Sequence, residues 1–94
     1  MKTHELKTWP EFYTAILVGD KTFELRFDDR GYQVGDTLWL REWLPRDQKY
    51  TGKEMFVTVT YLHASGGGLG LEKDWVGMAI KPTPFDLGIV VRAW

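Results

Sequence analysis

The chain has 94 residues, no cysteine, and a net charge of −1 from 12 Lys and Arg against 13 Asp and Glu. That length makes one domain, and the missing cysteine excludes disulfides and thiol-based metal or redox chemistry. The balanced charge excludes the broad basic footprint of a duplex-DNA binder, although it leaves room for a local basic patch.

Five Trp, five Phe and four Tyr supply the large buried area per residue that a small core needs. Residues 1–6 hold no apolar run of the kind a signal peptide requires. The uncharged stretch 55–71 is too short and too rich in Gly, Ser and Thr to span a membrane. The expectation is a soluble, cytoplasmic protein with no membrane partner.

Residues 4–7 read as a short first strand with His4 and Leu6 on one face. A helix follows over 8–18. Thr8 and Glu11 have the spacing of a capping box, Pro10 is tolerated in the first turn, and Gly19 can take the left-handed conformation that ends helices. Trp9, Phe12, Tyr13, Ile16 and Leu17 recur at helical spacing, which predicts that this face packs on the core.

Residues 22–28 alternate cleanly. Phe23, Leu25 and Phe27 fall on one face and Thr22, Glu24, Arg26 and Asp28 on the other. The apolar face is expected to lie in the core, sharing it with Val57 and Val59. Asp28-Asp29-Arg30-Gly31 and Val34-Gly35-Asp36 are turn signals.

The stretch 37–44 is a strand with Leu38, Leu40, Glu42 and Leu44 on one face and Trp39, Arg41 and Trp43 on the other. Large apolar residues on both faces predict cover on both. A charged tip follows over 45–53, with Gly52 as its turn or bulge residue. The next strand, 54–62, places Met55, Val57, Val59 and Tyr61 opposite Phe56, Thr58 and Thr60.

The segment 64–70 reads as a flexible glycine loop. Its glycines lack the closing Gly-Lys-Ser/Thr of a phosphate-binding loop. Residues 75–81 form a further strand, broken by Pro82 and Pro84. The apolar run 87–93 is expected to be a closing strand or an interface element. Several closely spaced strands with one early helix read as a mostly β fold with one or two helices: a small, largely antiparallel barrel or an open α+β sheet.

Chemistry concentrates first at Lys21, Glu24 and Arg26. Lys21 follows a helix end, and Glu24 and Arg26 are neighbours on one strand face, an arrangement that suits a structural ion pair. It equally suits a site where the cations meet phosphate or a base edge, with Glu24 as acceptor or base. A second group interleaves aromatic and basic residues: Trp39, Arg41 and Trp43, then Arg46, Lys49, Tyr50 and Lys53. Rings beside cations are what single-stranded nucleic-acid binders use, and core packing is the competing role for the Trp residues. His4 and His63 are isolated, so neither a metal nor a cofactor is expected.

Gly19-x-Lys21-x-x-x-x-Arg26 resembles the Gly-x-Lys-x-x-x-x-Arg signature of ASCH (activating signal cointegrator homology) domains, small β-barrels of the PUA-like superfamily. The blocks His4-Glu5-Leu6-Lys7, residues 19–26, Asp29-Arg30, Gln33-Val34-Gly35-Asp36 and Tyr50-Thr51-Gly52-Lys53-Glu54 are similar to an ASCH-like family of bacteria and phages. The likeness covers about 3–81 and leaves 82–94 as an extension.

The resemblance implies a barrel whose flanking helix borders a cleft, and RNA or a nucleotide as the partner. Lys21, Arg26, Arg41 and Lys53 are then the nucleic-acid-binding candidates. Some small members of the group hydrolyse acetylated cytidine, which implies an alternative as an amidohydrolase with Lys21 and Glu24 as catalytic residues. Those enzymes place a Thr nucleophile where this chain has Glu24, and they use a later Glu whose counterpart here is Glu72. A third alternative is a protein-interaction module built on the apolar C-terminal run.

Overall fold

The computed structural model describes residues 1–64 and 70–83. The expected loop over 65–69 and the expected C-terminal strand lie outside them. One strand, β1 (Thr3–Thr8), leads into one helix, α1 (Pro10–Leu17). Four strands follow: β2 (Phe23–Phe27), β3 (Thr37–Leu44), β4 (Lys49–Ala64) and β5 (Trp75–Pro82). They form one sheet in the order β1-β3-β4-β5-β2. The pair β1–β3 is parallel and the other three pairs are antiparallel.

The sheet curls because β4 is 16 residues long and serves two partners. Its first half pairs with β3 and its second with β5. Register shifts at Arg41/Trp43 and Val59/Tyr61 mark bulges, which bend and twist a strand. Among the described residues the result is a half-barrel, with β1 and β2 as its two edges.

The core lies on the concave face. It holds Leu6, Leu38, Leu40, Met55, Val57, Val59, Val76, Met78 and Ile80 from the strands, with Tyr13 from α1 and Tyr32 from the loop before β3. Only Tyr13, with Ile16 and Leu17 packed beside it, carries the helix face inward. Trp9 and Phe12 stay 48% and 42% exposed, because a helix of eight residues is too short to turn its whole apolar stripe onto the sheet.

The expected cap is also displaced. Thr8 is the last residue of β1, and Trp9 occupies the N-cap with no side-chain hydrogen bond. At the other end, Gly19 takes φ 87°, and the N–H of Asp20 bonds the carbonyl of Ala15, as a left-handed helix terminus requires.

The facing of β2 overturns the expectation. Its alternation is as predicted, but the sign is reversed. Glu24 is buried, whereas Phe23, Leu25 and Phe27 are 47%, 51% and 50% exposed. Lys21 and Arg26 satisfy the Glu24 carboxylate, so the charged face can turn inward. Leu25→Ala is therefore expected to cost less than about 1 kcal/mol in denaturant unfolding, since a half-exposed side chain leaves no closed cavity. A loss of several kcal/mol would show that this face is covered.

Two smaller corrections have the same kind of cause. Tyr61 is exposed because the bulge after Val59 inverts the alternation of β4, and Leu62 packs on the core in its place. Among the described residues, Trp39 and Trp43 on the outer face of β3 are covered by side chains, and the C-terminal run expected to cover a face lies outside them. Trp39 stacks on Phe56, Trp43 meets Tyr50 edge-on, and Arg41 lies over both Trp39 and Tyr50.

Candidate functional site

The open side of the half-barrel is a cleft of about 680 Å³ between α1, β1 and β2. Leu6 and Tyr32 reach it from the core, Trp9 and Phe12 from the helix, and Lys7 from β1. Lys21, Glu24, Arg26, Asp29 and Arg30 line its β2 side. Three cations, Lys21, Arg26 and Arg30, thus meet two carboxylates there, a local basic excess in a chain of net charge −1, while Lys7 lends its backbone and its Nζ lies 4.1 Å from the Trp43 ring.

Local structure sets each group. The left-handed turn at Gly19 ends the helix and delivers Lys21 to the cleft. Lys21 Nζ donates to Glu24 Oε1 at 2.5 Å and to the Phe23 carbonyl at 2.8 Å. It lies over the Phe12 and Phe23 rings, 5.5 Å and 4.9 Å from their centroids. Arg26 Nε donates to Glu24 Oε2 at 2.8 Å. Both carboxylate oxygens of Glu24 are therefore engaged by cations, and Glu24 fixes Lys21 and Arg26 side by side.

The two arginines also bridge the opening. Arg26 Nη2 donates to the Lys7 carbonyl at 3.1 Å, and Arg30 Nη1 to the Glu5 carbonyl at 2.8 Å. Edge strands need their backbone groups satisfied, and here side chains from the β2 side do this for β1. Arg30 is presented by a turn in which Asp28 Oδ1 accepts the N–H groups of Gly31 and Tyr32. Burial pushes the Tyr32 phenol above its ordinary value, against the pull of Arg30, so Tyr32 is a neutral O–H group at neutral pH.

Trp9 and Phe12 stand at the mouth with centroids 6.1 Å apart and planes 18° from parallel. Their helical spacing predicts both on the core-facing side. The available signal was the Pro10 start, which leaves room for barely two turns of helix. The sequence marks Arg30 as part of a turn and of the Asp29-Arg30 block, with no sign that it reaches the cleft.

Of the sequence-derived candidates, Lys21, Glu24 and Arg26 come together as expected. Arg41 does not join them. It sits on the outer face of β3, bonded to Glu5 Oε2 at 2.7 Å and 3.8 Å from the Tyr50 ring. Lys53 is exposed near the β3–β4 tip, and neither it nor Glu72 lines the cleft. Among the described residues no group of three or more His, Asp or Glu could hold a metal ion. No helix of the described residues is long and apolar enough to cross a membrane.

The chain is similar to an uncharacterised 12.9 kDa protein of Escherichia phage P2, encoded in the GpA 3′ region. The two are 37% identical over 59 residues, which span 63% of this chain and 52% of the phage protein. A family model described as a domain of unknown function matches residues 3–80. That range takes in β1, α1, β2 and the turn carrying Arg30, which together build the cleft, so the chain belongs to the DUF3850 family.

Proposed function

We propose that this protein is an ASCH-like, PUA-like module that binds RNA or a nucleotide in the cleft beside Lys21. The observation that carries the reading is the pairing of an exposed, near-parallel Trp9/Phe12 platform with Lys21, Arg26 and Arg30 on one cleft. Stacking rings take any base, and cations take the backbone phosphate. The curled sheet with one flanking helix fits a PUA-like barrel, here opened on one side.

The amidohydrolase reading has less support. The enzymes this chain resembles use a Thr nucleophile where it has Glu24, and the Glu24 carboxylate is held between Lys21 and Arg26. The protein-interaction reading, built on the C-terminal run outside the described residues, can also draw on the half-exposed Phe23, Leu25 and Phe27 that line the same cleft.

The test is titration of labelled single-stranded RNA at several salt concentrations. Binding should weaken with salt, with a slope of about −0.7 per phosphate contact. Trp9→Ala should lower affinity about tenfold and leave that slope unchanged, as loss of one stacked base does. Lys21→Ala should instead flatten the slope. Acetate release from acetylcytidine by the purified wild type would put the hydrolase reading first. Neither binding nor turnover would favour protein interaction.

A further inference from the structure

Arg26 and Arg30 are held by two backbone carbonyls of one strand, those of Lys7 and Glu5. Carbonyls two residues apart on a strand point the same way and lie about 6.6 Å apart. Each guanidinium is therefore anchored at a fixed place along β1, and the two anchors are one strand repeat apart.

Two guanidinium groups anchored about that far apart can both reach one phosphate. Two charge-assisted bonds of about 2.8 Å on either side of a phosphate separate the facing nitrogens by roughly 7–8 Å. Arginine has five N–H donors in a rigid fork. Arg26 uses Nε on Glu24 and one Nη2 hydrogen on Lys7, and Arg30 uses Nη1 on Glu5. Both keep donors beyond these. Asp29 is the nearest counter-charge to Arg30, but the contact is 3.6 Å and Asp29 is mostly exposed, so solvent screens it. The anchoring also removes much of the ordering cost that free arginines would meet on binding.

We infer that Arg26 and Arg30 bracket a single phosphate group of the ligand, so that the cleft recognises a phosphorylated nucleotide rather than a bare nucleoside. The inference rests on the nucleotide-binding reading above and adds its anion subsite. Lys21, held by Glu24 and the Phe23 carbonyl and 5.5 Å from the Phe12 ring, is left for a neighbouring phosphate of a longer strand. The phosphate is either a terminal monophosphate or an internal phosphodiester of a single strand, and the two are separable by experiment.

The probes are adenosine, adenosine 5′-monophosphate, and a tetranucleotide without terminal phosphates, titrated calorimetrically into the wild type at low salt. The expected result is a monophosphate bound about tenfold or more tighter than adenosine, the scale of one charge-assisted hydrogen bond or more. Arg30→Gln keeps an N–H for the Glu5 carbonyl but removes the charge, and it should erase that advantage while adenosine binding persists. Lys81→Ala removes an exposed cation of β5 that does not line the cleft and should leave the advantage intact. Thermal melts of both variants separate lost binding from lost folding.

Tetranucleotide binding that falls in Arg30→Gln, without tight monophosphate binding, would assign the subsite to an internal phosphodiester. Equal affinity for adenosine and its monophosphate, with no tetranucleotide effect of Arg30→Gln, would overturn the phosphate subsite and leave the base platform standing. No binding of any probe would overturn both.

Discussion

Asp36→Ala is expected to destabilise the fold by about 3–5 kcal/mol, the range for removing one partner of a buried ionic and hydrogen-bonded group. Asp36 is buried at the start of β3. Its Oδ1 accepts the Lys2 N–H at 3.1 Å, and its Oδ2 pairs with His4 Nε2 at 2.8 Å and accepts the Gln33 N–H at 3.0 Å. One carboxylate thus ties the start of β1 to the turn before β3, and His4 packs edge-on against Tyr32 behind it. Alanine would leave three donors facing an apolar gap. Asn, which keeps the shape and one acceptor, should cost less.

The same group gives an acid dependence. Desolvation alone would raise the Asp36 carboxyl, but the bonds from His4, Lys2 and Gln33 outweigh it and hold it below its ordinary value of 3.8. A carboxyl depressed in the folded state adds stability above its unfolded value, and that stability is lost as the pH falls from 3.8 towards the lower folded value. Denaturant unfolding of wild type and Asp36→Asn across this range checks both points. The variant should show a weaker fall with acid, and a cost for Asp36→Ala below about 1 kcal/mol would sink the account.

What the sequence made legible follows from the range of each signal. Alternation located β2, the inner residues of β3 and the inner residues of β4, because a pleat repeats every two residues whatever lies around it. Gly19 marked the helix end and Asp28 to Gly31 the turn, because both are local backbone demands. The gathering of Lys21, Glu24 and Arg26 was legible for the same reason, since they span six positions.

Alternation does not say which face turns inward. On β2 the usual rule failed because the strand is the wall of a cleft, and the buried carboxylate carries its own cations. A one-residue bulge reversed Tyr61 against Val59, and nothing in 54–62 announces it. The parallel β1–β3 pairing, the 32-residue reach from His4 to Asp36, and the bond from Arg30 to Glu5 are contacts between distant segments. No local pattern encodes them, which is why the cleft was expected at Lys21 while two of its walls, Trp9 with Phe12 and Arg30, were not.

Glu24→Ala carries the second large effect, because it tests the site and the fold together. Glu24 is nearly fully buried, while the side chains of Lys21 and Arg26 keep 17% and 25% of their exposure. Removing the carboxylate leaves two cations adjacent, but their partial exposure lets water take up some of the charge. The expected cost is therefore about 2–3 kcal/mol, below the full loss for a closed pair because of that screening. Glu24→Gln keeps the shape and one acceptor and should cost about 1 kcal/mol.

Both variants make the cleft more basic by one charge. In a binding module they should still hold single-stranded RNA, with a steeper salt dependence than wild type, because the cations are no longer internally balanced. In a hydrolase that uses Glu24 as base, Glu24→Gln would abolish turnover in a protein that still folds. RNA affinity that collapses in Glu24→Gln without a change in melting temperature would show that the carboxylate itself contacts the ligand. That outcome would remove Glu24 from its role as the strut between Lys21 and Arg26.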